Sequence, residues 1–193
     1  MTLHTLRCDQ VEPQAWRNGG GRTRELLAWP SRDDWSLRIS VADIERDGPF
    51  SSFEGVDRWF AVVEGAGVLL ARAGARQVLE VDAAPMHFRG EDAPMCELLD
   101  GPTRDLNLMV RRADGRGTMQ HAEAGVDFDP RAAVRALFCA DAVTLQIDGS
   151  DARALAPFTL MWAGGSAQGR WRIRADAERP RAWWMSLQTA AGA

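Results

Sequence analysis

The chain has 193 residues, of which 46% are hydrophobic, and a formal net charge of −4 at pH 7. It is long enough for one compact unit or two small halves with a real core. All 23 basic residues are arginine and lie scattered among 27 acidic residues, so no basic stripe indicates nucleic acid as a partner. No apolar run reaches the roughly 18 to 20 residues that cross a bilayer, so no membrane partner is expected. Three widely spaced cysteines without a pairing pattern favour a reducing, cytoplasmic location.

Three consecutive glycines, residues 19–21, follow Trp16 in a segment rich in hydrogen-bond donors. Glycine accepts positive φ and lets a ligand or another chain come close to the backbone, at an entropic cost. Backbone N–H groups presented in this way can form anion-binding nests. The candidate ligand-binding residues of this segment are Asn18, Gly19, Gly20, Gly21, Thr23 and Arg24.

Two segments alternate between apolar and polar residues, a pattern typical of half-buried β-strands. In residues 35–41 the alternation puts Arg38 on one face between two serines. In residues 105–110 it puts Asp105 and Asn107 opposite a row of apolar side chains. If these strands line a small barrel that holds a ligand, all three polar residues face the cavity. On an exposed sheet the same faces would simply be solvated.

Residues 59–70 read as an apolar strand, a glycine turn and a second apolar strand, and Arg58 stands at the start of the first. A buried arginine needs a partner. One interpretation is an internal ion pair with Asp57 or Asp105. The other is that Arg58 clamps the carboxylate of a ligand with two parallel hydrogen bonds.

The remainder of the chain carries fewer motifs. Strands are predicted at 135–140, 143–147, 158–162 and 182–187. Residues 113–129, rich in glycine and charge, are predicted to connect a first half, 1–112, to a second half, 130–193.

Four motifs in order make the chain resemble the HutD/Ves family. They are W-x-N-G-G-G-x-T-x-E at 16–25, W-x-x-R-I-S-x-A at 35–42, G-P-F-S-x-F-x-G-x-D-R at 48–58 and G-P-x-x-D-x-N-L-M-x-R at 101–111. Each is weak alone, whereas four in order are specific, and the resemblance covers residues 1–112. The family is of cupin type. The resemblance therefore implies a mostly β, cupin-like barrel, with a degenerate second half that makes the protein a bicupin.

Metal binding is not expected. Metal-binding cupins carry an H-x-H pair before the hairpin that residues 59–70 resemble, and the equivalent stretch here, 56–59, has no histidine. The three histidines, His4, His87 and His121, are far apart and make a poor ligand set. No nucleophile elbow or activated cysteine is present either. We predict no metal, no cofactor and no catalytic residue.

The resemblance implies a non-enzymatic protein that binds a small carboxylate, an intermediate of histidine degradation such as urocanate or N-formylglutamate, in a regulatory role. Arg58 would hold the acid group, with the residues of the glycine segment and Arg38, Asp105 and Asn107 around it. Two alternatives stay open. One is a metal-free isomerase or hydrolase that uses Asp105 or Asp57 as a base. The other is an interaction or stress protein that docks a partner, or a second copy of itself as a homodimer, through its tryptophans.

Overall fold

Almost all regular structure in the computed structural model, which describes residues 2–72, 74–129, 131–165 and 169–189, is β-strand. Within that part of the chain the helical elements are two short 3₁₀ turns, Cys8–Gln10 and Gly90–Asp92. The strands, in chain order, are β1 (Leu3–Arg7), β2 (Gln14–Ala15), β3 (Gly21–Pro30), β4 (Trp35–Ile44), β5 (Gly48–Pro49), β6 (Val56–Glu64), β7 (Val68–Arg72), β8 (Ala75–Leu79), β9 (Met86–Arg89), β10 (Met95–Leu98), β11 (Thr103–Arg111), β12 (Gly115–His121), β13 (Asp127–Phe128), β14 (Val134–Cys139), β15 (Val143–Ile147), β16 (Arg153–Leu155), β17 (Thr159–Gly164), β18 (Trp171–Arg174) and β19 (Ala182–Thr189). The predicted mostly β class is confirmed. None of the described helical segments is long and apolar enough to cross a membrane.

The chain divides into two units, and its first strand belongs to the second of them. The N-terminal unit is Val11–Arg116, and the C-terminal unit comprises the described residues of Met1–Gln10 and Gly117–Ala193. β1 pairs antiparallel with β17, from Leu3 opposite Ala163 to Arg7 opposite Thr159. This pairing satisfies the backbone hydrogen-bonding groups of β1 in the C-terminal unit.

The division therefore differs from the predicted boundaries in two respects. Residues 1–10 lie with the second half, and the predicted connection, 113–129, contains β12 and β13. β12 is the last strand of a five-stranded sheet, and β13 pairs with β18. Glycines and charges suggested a loop, but strand pairing overrides local propensity where a neighbouring strand is available.

The N-terminal unit consists of two antiparallel sheets, one in the order β2-β3-β4-β11-β6-β9 and one in the order β5-β10-β7-β8. Its core cluster draws on both sheets, with Phe60, Val62 and Phe88 from the larger and Val68 and Leu70 from the smaller. The core therefore lies between the sheets. We call the face of the larger sheet that carries Phe60, Val62 and Phe88 the inward face.

The C-terminal unit has the same layout, with sheets in the order β1-β17-β14-β19-β12 and β13-β18-β15-β16. Its core cluster includes Leu137, Met161 and Trp184 from the first sheet and Trp171 and Ile173 from the second. The four strands predicted in this half correspond to β14, β15, β17 and β19. The complete bicupin arrangement stays a prediction.

Candidate ligand-binding site in the N-terminal unit

Strand register places a row of polar side chains on the inward face. Residues that pair directly across an antiparallel ladder have side chains on the same side of the sheet. Asn107 is paired with Phe60, and Arg58 with Phe88, both members of the core cluster. By the same register, the polar residues on this face include Arg38, Ser40, Arg58, Asp105 and Asn107.

The Arg58 guanidinium is buried in an aromatic cage. The side chain belongs to the core of the unit, with only 6% of the residue exposed. Its Cζ lies 5.2 Å from the ring centroid of Phe50, 5.5 Å from that of Phe53 and 5.1 Å from that of Phe88. These distances are within the range of cation–π attraction, which is strongest where the cation is desolvated.

Hydrogen bonds satisfy only part of this guanidinium. Nη2 donates to Oδ1 of Asn107 at 3.1 Å, and Nη1 donates to the carbonyl oxygen of Ser51 at 3.4 Å. The buried Nε has no hydrogen-bond partner. Nε–H and Nη2–H form one edge of the guanidinium fork, the edge that binds a carboxylate with two parallel bonds. Half of that edge is therefore unused.

A hydrogen-bonded chain continues from Arg58 through Asn107 to Asp105. Asn107 donates from Nδ2 to Oδ2 of Asp105, which is almost completely buried. Burial raises the pKa of Asp105 to about 8, although the charge of Arg58 and the bond from Asn107 act against it. Burial also lowers the pKa of Arg58 to about 10, against the opposing effect of Asp105 and together with the nearby charge of Arg38. Burial therefore disfavours the ionised form of Asp105, while Arg58 stays charged at pH 7.

The other inward arginine, Arg38, already has a carboxylate partner. Its Nε lies 2.6 Å from Oε2 of Glu25, whose other oxygen lies 3.1 Å from Nε of the exposed Arg32. Among the described residues Arg58, by contrast, has no carboxylate within ion-pair distance. Asp57, which sequence reasoning offered as its partner, forms an ion pair with Arg112 at 3.1 Å instead.

Arg24 does not join this site. The register pairs Arg24 with Val41, so the Arg24 side chain lies on the opposite face of the sheet from the inward row. The Nη1 of Arg24 lies 2.8 Å from Oδ2 of Asp43. Asp43 also pairs with Arg104 at 2.6 Å and with Arg22 at 3.3 Å. The predicted grouping of Arg24 with Arg58 is therefore corrected, because adjacent positions on a strand point to opposite faces.

The glycine segment serves the turn that leads into β3 rather than an open nest. Gly19 donates to the carbonyl oxygen of Trp16 at 3.0 Å, and Gly20 donates to Oδ1 of Asn18 at 3.0 Å. Both amides and the Asn18 acceptor are thus used within the turn. Thr23 accepts a 2.7 Å hydrogen bond from the Trp16 indole. These contacts give the segment a structural role different from the predicted one.

Gly21 is required for the close approach of β3 to β4. A Cβ at this position would overlap with the carbonyl oxygen of Asp43 and lie 3.2 Å from Cζ3 of Trp16. We expect Gly21→Ala to lower the free energy of unfolding by about 1 to 3 kcal/mol, as overpacking does. Gly48→Ala is the matched control, because its Cβ would meet nothing within 4 Å. Equal denaturation midpoints for the two variants would contradict this assignment.

Sequence reasoning missed three contributors to the site: Glu25, the carbonyl group of Ser51 and the ring of Phe88. Phe50 and Phe53, which belong to the third family motif, also contact Arg58. Glu25 could have been found from its position in β3, where it pairs with Ser40 on the inward face. Phe88 lies in β9, far from the motifs, and no local signal points to it.

The histidines do not assemble a metal centre in the described residues, where no group of three or more potential ligands occurs. His87 is half exposed and stacks on Trp59 with ring centroids 4.5 Å apart. His4 stacks on Trp162 in the C-terminal unit at 5.1 Å. The site described above therefore consists of arginine, amide, carboxylic acid and aromatic groups.

Two antiparallel sheets packed around a common core define a cupin-like β protein, and its core here holds an arginine-centred cluster. The HutD family model matches residues 9–182, and the chain belongs to the HutD family. This confirms the resemblance drawn from the four motifs.

Individual relatives agree with the assignment. Over 122 residues the chain is 37% identical to an uncharacterised 21.2 kDa protein in the 3′ region of hutC in Pseudomonas putida. It is 36% identical over 109 residues to protein Ves of Cronobacter sakazakii. The matches cover 61% and 56% of this chain, and the chain spans 63% and 60% of the length of these two relatives.

Solved structures match over nearly the whole chain. A protein of unknown function from Pseudomonas aeruginosa PAO1 is 30% identical with a TM-score of 0.86, and the match covers 98% of this chain and 100% of that protein. HutD from Pseudomonas fluorescens SBW25, in a formate condition, is 27% identical with a TM-score of 0.85 at the same coverage. Protein Ylba of E. coli, at 9% identity, has a TM-score of 0.69 and shares the fold alone; that match covers 100% of this chain and 92% of Ylba.

Proposed function

We propose that the protein binds a small carboxylate metabolite at Arg58 and acts through this binding, without a metal, in a regulatory role. The observation that carries the proposal is that the buried Arg58 guanidinium has no carboxylate within ion-pair distance among the described residues. Glu25 is paired with Arg38, and burial raises the pKa of Asp105 and so disfavours its charged form. A buried charge without a counter-charge is unfavourable. The carboxylate of a ligand would supply the missing negative charge.

The guanidinium has the geometry for such a ligand. The free Nε–H lies on one edge with an Nη2–H, so a planar carboxylate could accept from both. The rings of Phe50, Phe53 and Phe88 keep this edge in an apolar environment. Hydrogen bonds of charged groups are stronger in such surroundings than in water.

The relatives indicate which carboxylates to consider. One relative is encoded in the hutC region of P. putida, and a HutD structure comes from a formate condition. An intermediate of histidine degradation is therefore the ligand class proposed here. Urocanate and N-formylglutamate both carry a carboxylate that could occupy the Arg58 edge.

A metal-free enzyme acting on a small acid is the second candidate, and the perturbed pKa of Asp105 favours it. A strongly shifted carboxyl group beside a charged partner is a feature of catalytic sites. With a pKa of about 8, Asp105 would offer a proton at neutral pH rather than accept one. In this case the ligand would be consumed, whereas a binding protein leaves it unchanged.

The test is calorimetric titration of the protein and of Arg58→Lys with formate, urocanate, N-formylglutamate and glutamate. Lysine keeps the positive charge but loses the two-pronged fork. We expect at least one acid to bind, and its dissociation constant should be about 10- to 100-fold higher in Arg58→Lys.

Arg104→Lys is the matched control, because Arg104 lies on β11 like Asn107 but pairs with Asp43 away from the inward row. Its affinity should equal that of the unchanged protein. Equal binding by Arg58→Lys would overturn the assignment of the site, and binding of no acid would favour the interaction-protein alternative. Disappearance of the ligand during incubation, followed by chromatography, would favour the enzyme.

A further inference from the structure

The C-terminal unit contains a second buried arginine in a position that corresponds to Arg58. Arg135 lies near the start of β14, a strand flanked on both sides in the larger sheet of its unit, as β6 is. Its neighbours across the ladders are Ser186 and Ala163. Ala163 belongs to the core cluster of the unit, so Arg135 also faces that core. Only 1% of its side chain is exposed.

Arg135 repeats the incomplete bonding of Arg58. Nη1 donates to the carbonyl oxygen of Gly169, and Nη2 donates to Oδ1 of Asp129 at 3.3 Å. Nε is buried and has no hydrogen-bond partner. The Nε half of the edge formed by Nε–H and Nη2–H is again unused, while Nη2 bonds one oxygen of Asp129.

Asp129 is a poor permanent partner for this charge. Its side chain is 57% exposed, and the single bond of 3.3 Å is longer than the 2.7 to 2.9 Å usual for a charge-assisted pair. An exposed carboxylate gains little from an ion pair and can turn to solvent. Its departure would free the whole edge of the guanidinium.

A second buried donor in the same unit also lacks an acceptor. Trp171 is completely buried in the core cluster, and its indole Nε1 has no hydrogen-bond partner. Its ring lies against that of Trp184, with centroids 6.3 Å apart, and Trp184 stacks on Phe128 at 4.8 Å. Trp183 Nε1 and Thr159 Oγ1 of this unit are likewise buried without a hydrogen-bond partner. Native proteins satisfy nearly all buried polar groups, so these call for an explanation, and an acceptor beside Arg135 would supply one for its Nε–H.

We infer that the C-terminal unit carries a second site for a small monocarboxylate, held by the Nε and Nη2 edge of Arg135 in competition with Asp129. The incoming carboxylate accepts both hydrogen bonds, and the carboxylate of Asp129 moves to water. The inference does not rest on the function proposed for Arg58, since it concerns other residues in the other unit.

The experiment is a titration with sodium acetate in the Arg58→Lys background, so that binding at the first site is weakened. Sodium chloride at equal ionic strength serves as the reference. Proton–nitrogen spectra report the arginine Nε–H and tryptophan indole N–H signals, assigned through Arg135→Gln and Trp171→Phe. We expect acetate, unlike chloride, to shift the Arg135 Nε–H signal with saturation.

Asp129→Asn provides the decisive comparison, because its side chain is exposed and the substitution should leave the fold intact. Removing the competing charge should tighten acetate binding by about three- to tenfold. In Arg135→Gln saturable binding should be lost. No saturable shift in either the Asp129 variant or its parent would overturn the inference, as would equal affinities in those two proteins. If Arg135→Gln does not fold, the Asp129→Asn comparison alone decides.

Discussion

Replacing Asp105 with asparagine should remove most of the pH dependence of stability between about pH 5 and pH 8. The pKa of this carboxyl is raised from its unfolded value to about 8 by burial. In that interval the folded protein holds a proton on Asp105 that the unfolded chain has released. Stability is therefore fully present below the unfolded pKa and is lost as the pH rises towards 8, by up to about 1.4 kcal/mol per pH unit.

The measurement is urea unfolding at a series of pH values for the unchanged protein and Asp105→Asn. Asparagine has the shape of the protonated acid and keeps an oxygen for the bond from Asn107. The variant should give a nearly flat curve and be the more stable protein at pH 8.

Asp141→Asn, in the C-terminal unit, is the control for this series. Burial opposes the ionisation of Asp141, but its hydrogen bonds with Arg181 outweigh burial and lower the pKa, so its contribution is present above the unfolded pKa and is lost only as the pH falls through the folded value. Above pH 5 this carboxyl is ionised in both states. The control should therefore keep the slope of the unchanged protein, even if it is less stable throughout. A slope that persists in Asp105→Asn would show that Asp105 is ionised in the folded protein.

Carboxylate affinity should depend on the same proton. If the ligand supplies the counter-charge of Arg58, ionisation of Asp105 above about pH 8 places a competing negative charge beside it. The dissociation constant should then rise by up to tenfold per pH unit above pH 8, because binding requires the protonated acid. N-formylglutamate is a suitable ligand for this test, since its carboxylates stay ionised throughout the range.

In Asp105→Asn the affinity for N-formylglutamate should not change between pH 7 and pH 9. Arg58, with a pKa of about 10, remains largely charged in this interval, so its own titration should contribute little to the change in affinity. A parallel fall in affinity for both proteins would place the titrating group elsewhere. An affinity for N-formylglutamate that rises with pH would be the opposite of the expected effect. It would contradict the assignment of the ligand as the counter-charge of Arg58.

The proposed site explains why an arginine can occupy the interior of a small β unit. Aromatic rings surround its faces, and an amide bridges it to an acid whose pKa burial raises, so the unit contains a cation without a carboxylate at ion-pair distance among the described residues. A core built only for stability would favour apolar side chains of similar volume. Binding of an anion would account for a buried arginine at this position.

Periodicity in the sequence was enough to orient several residues of this site. Side chains alternate between the two faces of a strand, so the pattern of residues 35–41 and 105–110 put Arg38, Asp105 and Asn107 on polar faces. The family motifs, matched in order, also determined the mostly β, cupin-like class. Periodicity and motifs are both local features of the sequence, so they can be interpreted without knowing which strand is the partner.

Tertiary structure decided which charges were already neutralised. Arg24, Arg38 and Arg58 looked alike in the sequence, yet one pairs with Asp43, one with Glu25, and one with no carboxylate within ion-pair distance among the described residues. An ion pair depends on distances across neighbouring strands, which the register sets and the spacing along the chain does not.

Long-range pairing likewise decided the boundaries and the surroundings of the site. The sequence by itself determined several of the strands, the polar faces of two of them, and the family. Only the folded chain assigned residues 1–10 to the C-terminal unit, brought Phe88 to the guanidinium of Arg58 and used the glycine amides within their own turn. The physical reason is that backbone hydrogen bonds and buried charges are satisfied by whatever group lies nearest in space, however distant it is along the chain.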